Sequence, residues 1–180
     1  MKKNEVIALK KLSPEEKFMR AALREAKKAY ALNEVPIGCV IVKDGAIIAR
    51  GYNRRVTDGN VLSHAEIIAI KKACRKTSDW RLEECEMYVT LEPCPMCAGA
   101  IVQARIPKVY VGCMNPKAGC AGSVLDLFHQ EHLNHQVETD IGILGDECSG
   151  IMKQFFKELR AAHPKKVKYR PGGPDISSDV

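Results

Sequence analysis

The sequence predicts an α/β domain, a three-layer α/β/α arrangement with helices on both faces of a central sheet. Three observations carry this. Apolar runs of strand length alternate with amphipathic stretches of helix length along the chain. The 46% hydrophobic content suffices for a packed core, and 180 residues match one ordinary domain. The side chains richest in chemistry, a His and a Cys pair, each stand at a predicted helix start. Where parallel strands feed helices, such starts gather at the carboxyl edge of the sheet, where ligands bind.

Taken in order, residues 1–12 read as a flexible basic lead-in. Ser13-Pro14-Glu15-Glu16 combines an N-cap, a proline at the first helical position and a capping-box Glu. Phe18, Ala22, Ala26 and Tyr30 follow at helical spacing, so the first helix runs to about Leu32. Ile37 to Val42 is a continuous apolar strand, and Lys43-Asp44-Gly45-Ala46 reads as a hairpin turn into Ile47-Ile48-Ala49. Residues 52–62 are polar and irregular. A second helix starts at Ser63, shows Ile67, Ile68 and Ile70, and has its basic end at Lys71-Lys72.

Met87 to Leu91 forms the third strand, and Pro95 opens a third helix that runs to about Arg105. Val109-Tyr110-Val111 is the fourth strand, and residues 114–123, with Gly119 and Gly122, form a loop. Val137 starts a short fifth strand. Residues 146–161 form the last helix, around Ile151, Met152, Phe155, Phe156 and Leu159. One domain thus covers residues 13–163. The prolines, glycines and serines beyond it predict a disordered tail over 164–180.

The formal net charge is +6, and its distribution matters more than its size. Residues 1–28 carry nine Lys/Arg against four Glu, and residues 153–170 carry seven against one Glu. Basic ends on a near-neutral middle suit an anionic partner such as nucleic acid, although solvated helix faces give the same pattern. Val6-Ile7-Ala8-Leu9 is too short for a signal core of about 7–15 residues or a membrane span of about 20. The expectation is a cytoplasmic protein with no membrane partner. Its eight cysteines then stay reduced, and Cys39, Cys74, Cys85, Cys113, Cys120 and Cys148 lack ligand-like spacing and read mostly as small buried hydrophobes.

The remaining two cysteines carry the chemistry. His64-Ala65-Glu66 is followed, 26 residues after Glu66, by Glu92-Pro93-Cys94-Pro95-Met96-Cys97. His64, Cys94 and Cys97 make three zinc-type ligands; structural zinc sites use four, whereas catalytic ones keep a position open for water. Cys94-x-x-Cys97 wraps a helix N-terminus, whose unpaired amides favour thiolates. Two thiolates and a neutral imidazole leave Zn²⁺ formally neutral but still a Lewis acid, which lowers the pKa of bound water from about 15.7 toward about 7. Glu66 is then placed to move protons without binding metal. On spacing alone, a capping box is the more common use of a pair such as Ser63-x-x-Glu66. Glu92 ends a strand and reads as an anchor for the turn after it. His129, His132 and His135 recur every three residues without an accompanying carboxylate–cysteine set, which points to surface or substrate contact rather than a second metal.

Further segments extend the pattern: Glu34-Val35-Pro36-Ile37-Gly38, Gly51-Tyr52-Asn53-Arg54, Thr90 to Gly99, Pro116 to Ser123, Asn134-His135, Gly142-Ile143-Leu144, Glu147-Cys148 and Phe155-Phe156. With them, the chain from about Pro14 to Arg160 resembles the bacterial tRNA-specific adenosine deaminases of the cytidine/deoxycytidylate deaminase superfamily. The resemblance implies a cytidine-deaminase-like fold with a central five-stranded mixed sheet. It implies one Zn²⁺ per subunit on His64, Cys94 and Cys97, with Glu66 as the proton shuttle. Asn53 would hold the target base, the Ala65 backbone would line the pocket, and Asn115 and Phe156 would contact substrate. A homodimer whose partner helps build the RNA site is also implied. The implied reaction is hydrolytic deamination of adenosine to inosine at the wobble position of an arginine tRNA anticodon, with zinc-bound hydroxide attacking C6 and ammonia leaving. The sequence departs from many relatives at Asn115, where they carry Asp.

Two other readings share these residues. The same chemistry could act on a free small molecule such as guanine, cytosine or a deoxycytidylate; the basic ends and the later segments favour tRNA. A non-catalytic zinc-stabilised RNA-binding subunit would have lost the shuttle carboxylate, and Glu66 is present.

Overall fold

A computed structural model of the chain describes residues 12–162. The lead-in (apart from Leu12) and the 164–180 tail lie outside the described residues. The elements follow in the order α1 (Pro14–Ala31), β1 (Gly38–Lys43), β2 (Ala46–Tyr52), α2 (Ala65–Thr77), β3 (Cys85–Leu91), α3 (Pro95–Gln103), β4 (Lys108–Cys113), β5 (Glu138–Ile141) and α4 (Gly145–Ala162). The strands form one mixed sheet in the order β2-β1-β3-β4-β5. β1 runs antiparallel to β2 and β3, while β3, β4 and β5 are parallel.

The local signals act as read. Ser13 Oγ accepts the Glu16 amide at 3.2 Å, and Glu16 Oε2 accepts the Ser13 amide at 2.9 Å, so the capping box starts α1. Asp44 (φ 50°) and Gly45 (φ 69°) both take left-handed backbone, the requirement of a two-residue hairpin turn that matches strand twist.

Side chains alternate across the sheet with period two. Cys39, Ile41, Met87, Val89, Val109 and Val111 face α2 and α3, meeting Ala65, Ala69, Ala73, Ala98, Ile101 and Val102. Val40, Val42, Tyr88 and Tyr110 face the other way, toward Met19, Ala22 and Leu23 of α1 and Cys148 of α4. β1 carries no charged side chain from Gly38 to Val42 because both of its faces are covered there. Three layers result, as expected.

Some boundaries move, each for a tertiary reason. α2 begins at Ala65 rather than Ser63, with His64 as its N-cap. It continues past Lys71-Lys72 to Thr77 because Ala69 and Ala73 stay buried while the two lysines lie on the outer face. β5 starts at Glu138; Val137 is instead a core residue whose amide bonds Phe128 O. All eight cysteines are free. Cys39, Cys85, Cys120 and Cys148 are buried as expected, whereas Cys74 and Cys113 are half-buried.

The topology sends β2, β3 and β4 to end at one edge of the sheet, where β1 begins. There the end of β2 closes on the start of α2: a Cβ at Gly51 would lie 2.0 Å from Ala65 O. Only glycine lets helix and strand approach this closely, and that contact fixes where His64 and Glu66 stand.

Candidate metal centre and active site

Helices α2 and α3 both start at this edge, and both have N-caps of the wrong type for a helix. Ser, Thr, Asp or Asn at that position accepts a first-turn amide. His64 (φ −81°, ψ 154°) and Cys94 (φ −76°, ψ 172°) are extended like ordinary caps, but neither side chain bonds its own helix. They turn to each other instead. His64 Nδ1 lies 3.7 Å from Cys94 Sγ and 3.5 Å from Cys97 Sγ. All three ligand atoms lie within 4.8 Å of one another, and among the described residues no other group of three or more His, Cys, Asp or Glu assembles this way.

The spacing is a quantitative test of fit. Zinc bonds of about 2.3 Å to sulfur and 2.0–2.1 Å to nitrogen, at tetrahedral angles, set sulfur and nitrogen about 3.5–3.6 Å apart. The observed pair of distances brackets that value, so the cluster can hold a metal ion. Without the metal, the Cys94 thiol is pulled down to about 4 by the hydrogen bond from Cys97, with His64 adding to the effect against burial. Cys97 is pushed up by the same hydrogen bond, by burial and by the nearby Glu66 charge. The two shifts run in opposite directions, so coordination through both sulfurs opposes the preference of Cys97 for its proton.

Glu66 is buried against Cys97, and burial raises its carboxyl above the usual range. Its Oε2 has no hydrogen-bond partner among the described residues. The capping-box alternative does not form: Ser63 Oγ donates to Asp58 Oδ2 at 2.9 Å, and α2 has no side-chain cap bond. His64, being an extended cap, escapes the roughly 200° divergence that two residues of helix would impose between it and Glu66.

Glu92 takes the anchoring role expected of it. Its carboxylate accepts the amides of Asn115 (2.8 Å), Ala121 (2.9 Å) and Ser123 (3.0 Å) and the Ser123 hydroxyl. Burial alone would push its pKa up, but these hydrogen bonds outweigh burial and hold it below the ordinary range. The 114–123 loop closes tightly on the carboxylate; a Cβ at Gly119 would lie 1.9 Å from Glu92 Oε2. Glu92→Gln puts a donor among donors and is expected to cost about 2–3 kcal/mol. A urea unfolding midpoint equal to wild type would contradict this.

Asn115 and Phe156 meet across a cavity of about 630 Å³, whose wall also carries Lys117, Lys153 and Arg160. The three ligands and Glu66 do not line it; it opens on the α4 side of the same sheet edge. Among the basic residues of the 153–170 stretch, Lys157 is not in its wall, and Lys165 and Lys166 lie outside the described residues. The three-residue His series stays apart from the metal cluster. His129 pairs with Asp126 at 2.9 Å, His132 is exposed, and His135 Nε2 sits 2.9 Å from Ile106 O.

Asn53 follows β2 directly and is buried, with its amide Nδ2 donating to Glu34 Oε2 at 3.1 Å. Ala65, the first residue of α2, is fully buried. Glu34 belongs to the Glu34–Gly38 segment noted in the sequence, but no role could be read for it there as an individual residue. It is buried, 19 residues from its partner, and carries no ligand-like spacing.

Residues 13–160 match the family model of the MafB19-like deaminases. The chain is 48% identical over 149 residues to the tRNA-specific adenosine deaminase of Bacillus subtilis (strain 168), covering 83% of this chain and 92% of that one. A solved structure from work on A-to-I editing by tRNA:A34 deaminases at the wobble position of transfer RNA has a TM-score of 0.73 at 43% identity. It covers 75% of this chain and 98% of that one. A guanine deaminase from Bacillus subtilis is more distant: TM-score 0.54 and 33% identity, over 84% of this chain and 97% of that one. The sheet order, the helix layers and these identities agree, and the chain belongs to the MafB19-like deaminases and, among them, to the tRNA-specific adenosine deaminases.

Proposed function

We propose that this chain is a zinc-dependent deaminase that converts the wobble adenosine of an arginine tRNA anticodon to inosine, consuming water and releasing ammonia. The observation that carries the reading is the buried Glu66 carboxylate, with one oxygen unpartnered among the described residues, against a His–Cys–Cys cluster of zinc dimensions. His64, Cys94 and Cys97 would hold the ion, one per subunit. When bound, zinc supplies the Lewis acidity that makes water nucleophilic near neutral pH.

Glu66 takes a proton from the water that attacks C6. It delivers that proton to the ring nitrogen N1 and carries the next one to the departing amine. Asn53 holds the base, and the Ala65 backbone lines the pocket beside Glu66. Asn115 and Phe156 contact the flanking nucleotides in the 630 Å³ cavity, where Lys117, Lys153 and Arg160 face phosphate. An anticodon loop suits such a site because its bases are already unpaired and can splay out. Binding through three cations should weaken with added salt.

A homodimer is part of the reading. Val56, Val61 and Leu62 in one loop of this edge, and Val124 and Leu125 in another, are exposed aliphatic side chains that a second copy would cover. Sedimentation at twice the chain mass is the expected result, and a monomer at high concentration would count against it. Among the described residues no helix is long and apolar enough to cross a membrane, which is compatible with action on cytoplasmic tRNA.

The test is incubation of zinc-loaded protein with an arginine tRNA transcript carrying adenosine at the wobble position. Inosine is read as guanosine after reverse transcription. Conversion of that one adenosine supports the reading. No conversion, with ammonia released from free guanine or cytosine compounds instead, would replace tRNA by a small-molecule substrate.

A further inference from the structure

Glu34 is a buried carboxylate that neither the proton transfer nor the Glu92 loop anchor uses. It follows α1, where its own amide bonds Ala29 O at 3.0 Å. Its two oxygens are both engaged: Oε2 accepts Asn53 Nδ2 at 3.1 Å, and Oε1 accepts the Thr57 amide at 2.6 Å. Thr57 lies in the turn that Arg54 and Asp58 clamp at 2.9 Å, so this carboxylate joins the end of α1, the base-holding residue and the loop beside it.

A primary amide can face either way, and the wrong way here would set oxygen against oxygen out of reach of water. With both acceptors of Glu34 facing donors, Asn53 is confined to one orientation. Its nitrogen faces Glu34, leaving the amide oxygen and one N–H for substrate. The backbone of Asn53 is fixed as well, by its amide bond to Ile37 O at 3.0 Å.

We infer that Glu34 is a positioning residue for substrate binding, acting through the amide of Asn53. The inference rests on the reading that Asn53 holds the target base. It adds a residue outside the zinc and proton-transfer machinery and specifies its mode of action. Glu34→Gln keeps the shape but adds a donor. If the new side chain satisfies Thr57, its NH₂ faces Asn53 Nδ2, and the Asn53 amide must turn over or move away.

The test is a double-mutant cycle on kcat/KM for the tRNA substrate, with Glu34→Gln, Asn53→Ala and their combination, and with metal content measured in each. Glu34→Gln is expected to lose about 10- to 100-fold at full metal content, mainly in KM. In the Asn53→Ala background the same change should cost less than about 3-fold, because the residue it acts through is gone. Losses that multiply, or a Glu34→Gln protein within about 2-fold of wild type, would overturn the inference. Should Glu34→Gln fold poorly, the exchanged pair Glu34→Gln with Asn53→Asp supplies a second reading. It restores donor against acceptor and must melt above both single variants; a pair no better than the worse single also overturns the inference. A wild-type protein inert on tRNA overturns the functional reading and this inference with it. An active wild type with an additive cycle removes Glu34 alone.

Discussion

Glu66→Gln protein is expected to bind its full equivalent of metal and to deaminate at least about 100-fold more slowly than wild type, with losses up to about 10⁴-fold in reach. The amide keeps the volume of the side chain and leaves His64, Cys94 and Cys97 untouched, so any loss reports proton transfer. Among the described residues, the buried carboxylates Glu92 and Glu34 are already engaged. Glu92 is bound by three amides and a hydroxyl, and Glu34 faces Asn53 and Thr57. The expected change in stability has the opposite sign. Among the described residues Glu66 Oε2 is buried without a partner, a costly arrangement for a charge, and replacing it with an amide should leave the melting temperature equal or higher. A residue that costs stability and is required for activity is the mark of a functional position. Single-turnover kinetics with metal analysis on the same sample is the measurement. Metal-loaded variant protein within about 10-fold of wild type would remove Glu66 from the proton path.

The parts of this molecule legible in the sequence are those fixed by local chemistry. Ser13 with Glu16, and Asp44 with Gly45, act through neighbours a few residues away, and their signals survive into the structure unchanged. The cluster of His64, Cys94 and Cys97 was legible for another reason: a site able to coordinate metal demands particular side chains at particular spacings, whatever the surrounding fold. What failed to show was set by tertiary surroundings rather than by the local pattern. Ser63 reads as a helix cap, but its hydroxyl is taken by Asp58, which hands the cap position to His64. Lys71-Lys72 reads as a helix end, but the burial of Ala73 carries α2 onward. Glu34 was invisible as an individual residue because a carboxylate between a helix and a strand is normally solvated. Its burial depends on Asn53 and Thr57 arriving from across β1 and β2.

Stripping the metal is expected to abolish deamination and to leave a folded protein that melts about 5–10 °C lower, taking a metal concentration near 100 times its dissociation constant as the reference. Both effects should reverse with one equivalent of zinc. The fold should survive because the helix starts that carry the ligands are held by packing that needs no ion. Ala65 and Ala69 of α2, and Ala98 and Ile101 of α3, are fully buried in the main core. This separates the site from small zinc domains that unfold without metal. Stability should still fall, because His64 and Cys94 stand where a capping side chain would satisfy the first turn, and neither does so. Cys97→Ala removes the buried ligand, so that variant should bind no metal, melt like the stripped wild type and ignore added zinc. Protons oppose binding through the same residue. With Cys97 holding its proton in the metal-free site, affinity should weaken as pH falls from about 8 to 6, and a chelator should strip the protein faster at the lower pH. Full activity in stripped protein, or an equivalent of zinc retained by Cys97→Ala, would break the link between this cluster and the reaction. If the results fall as expected, the two N-caps forgo helix capping for ligation, and the stability they give up returns only when the ion is bound.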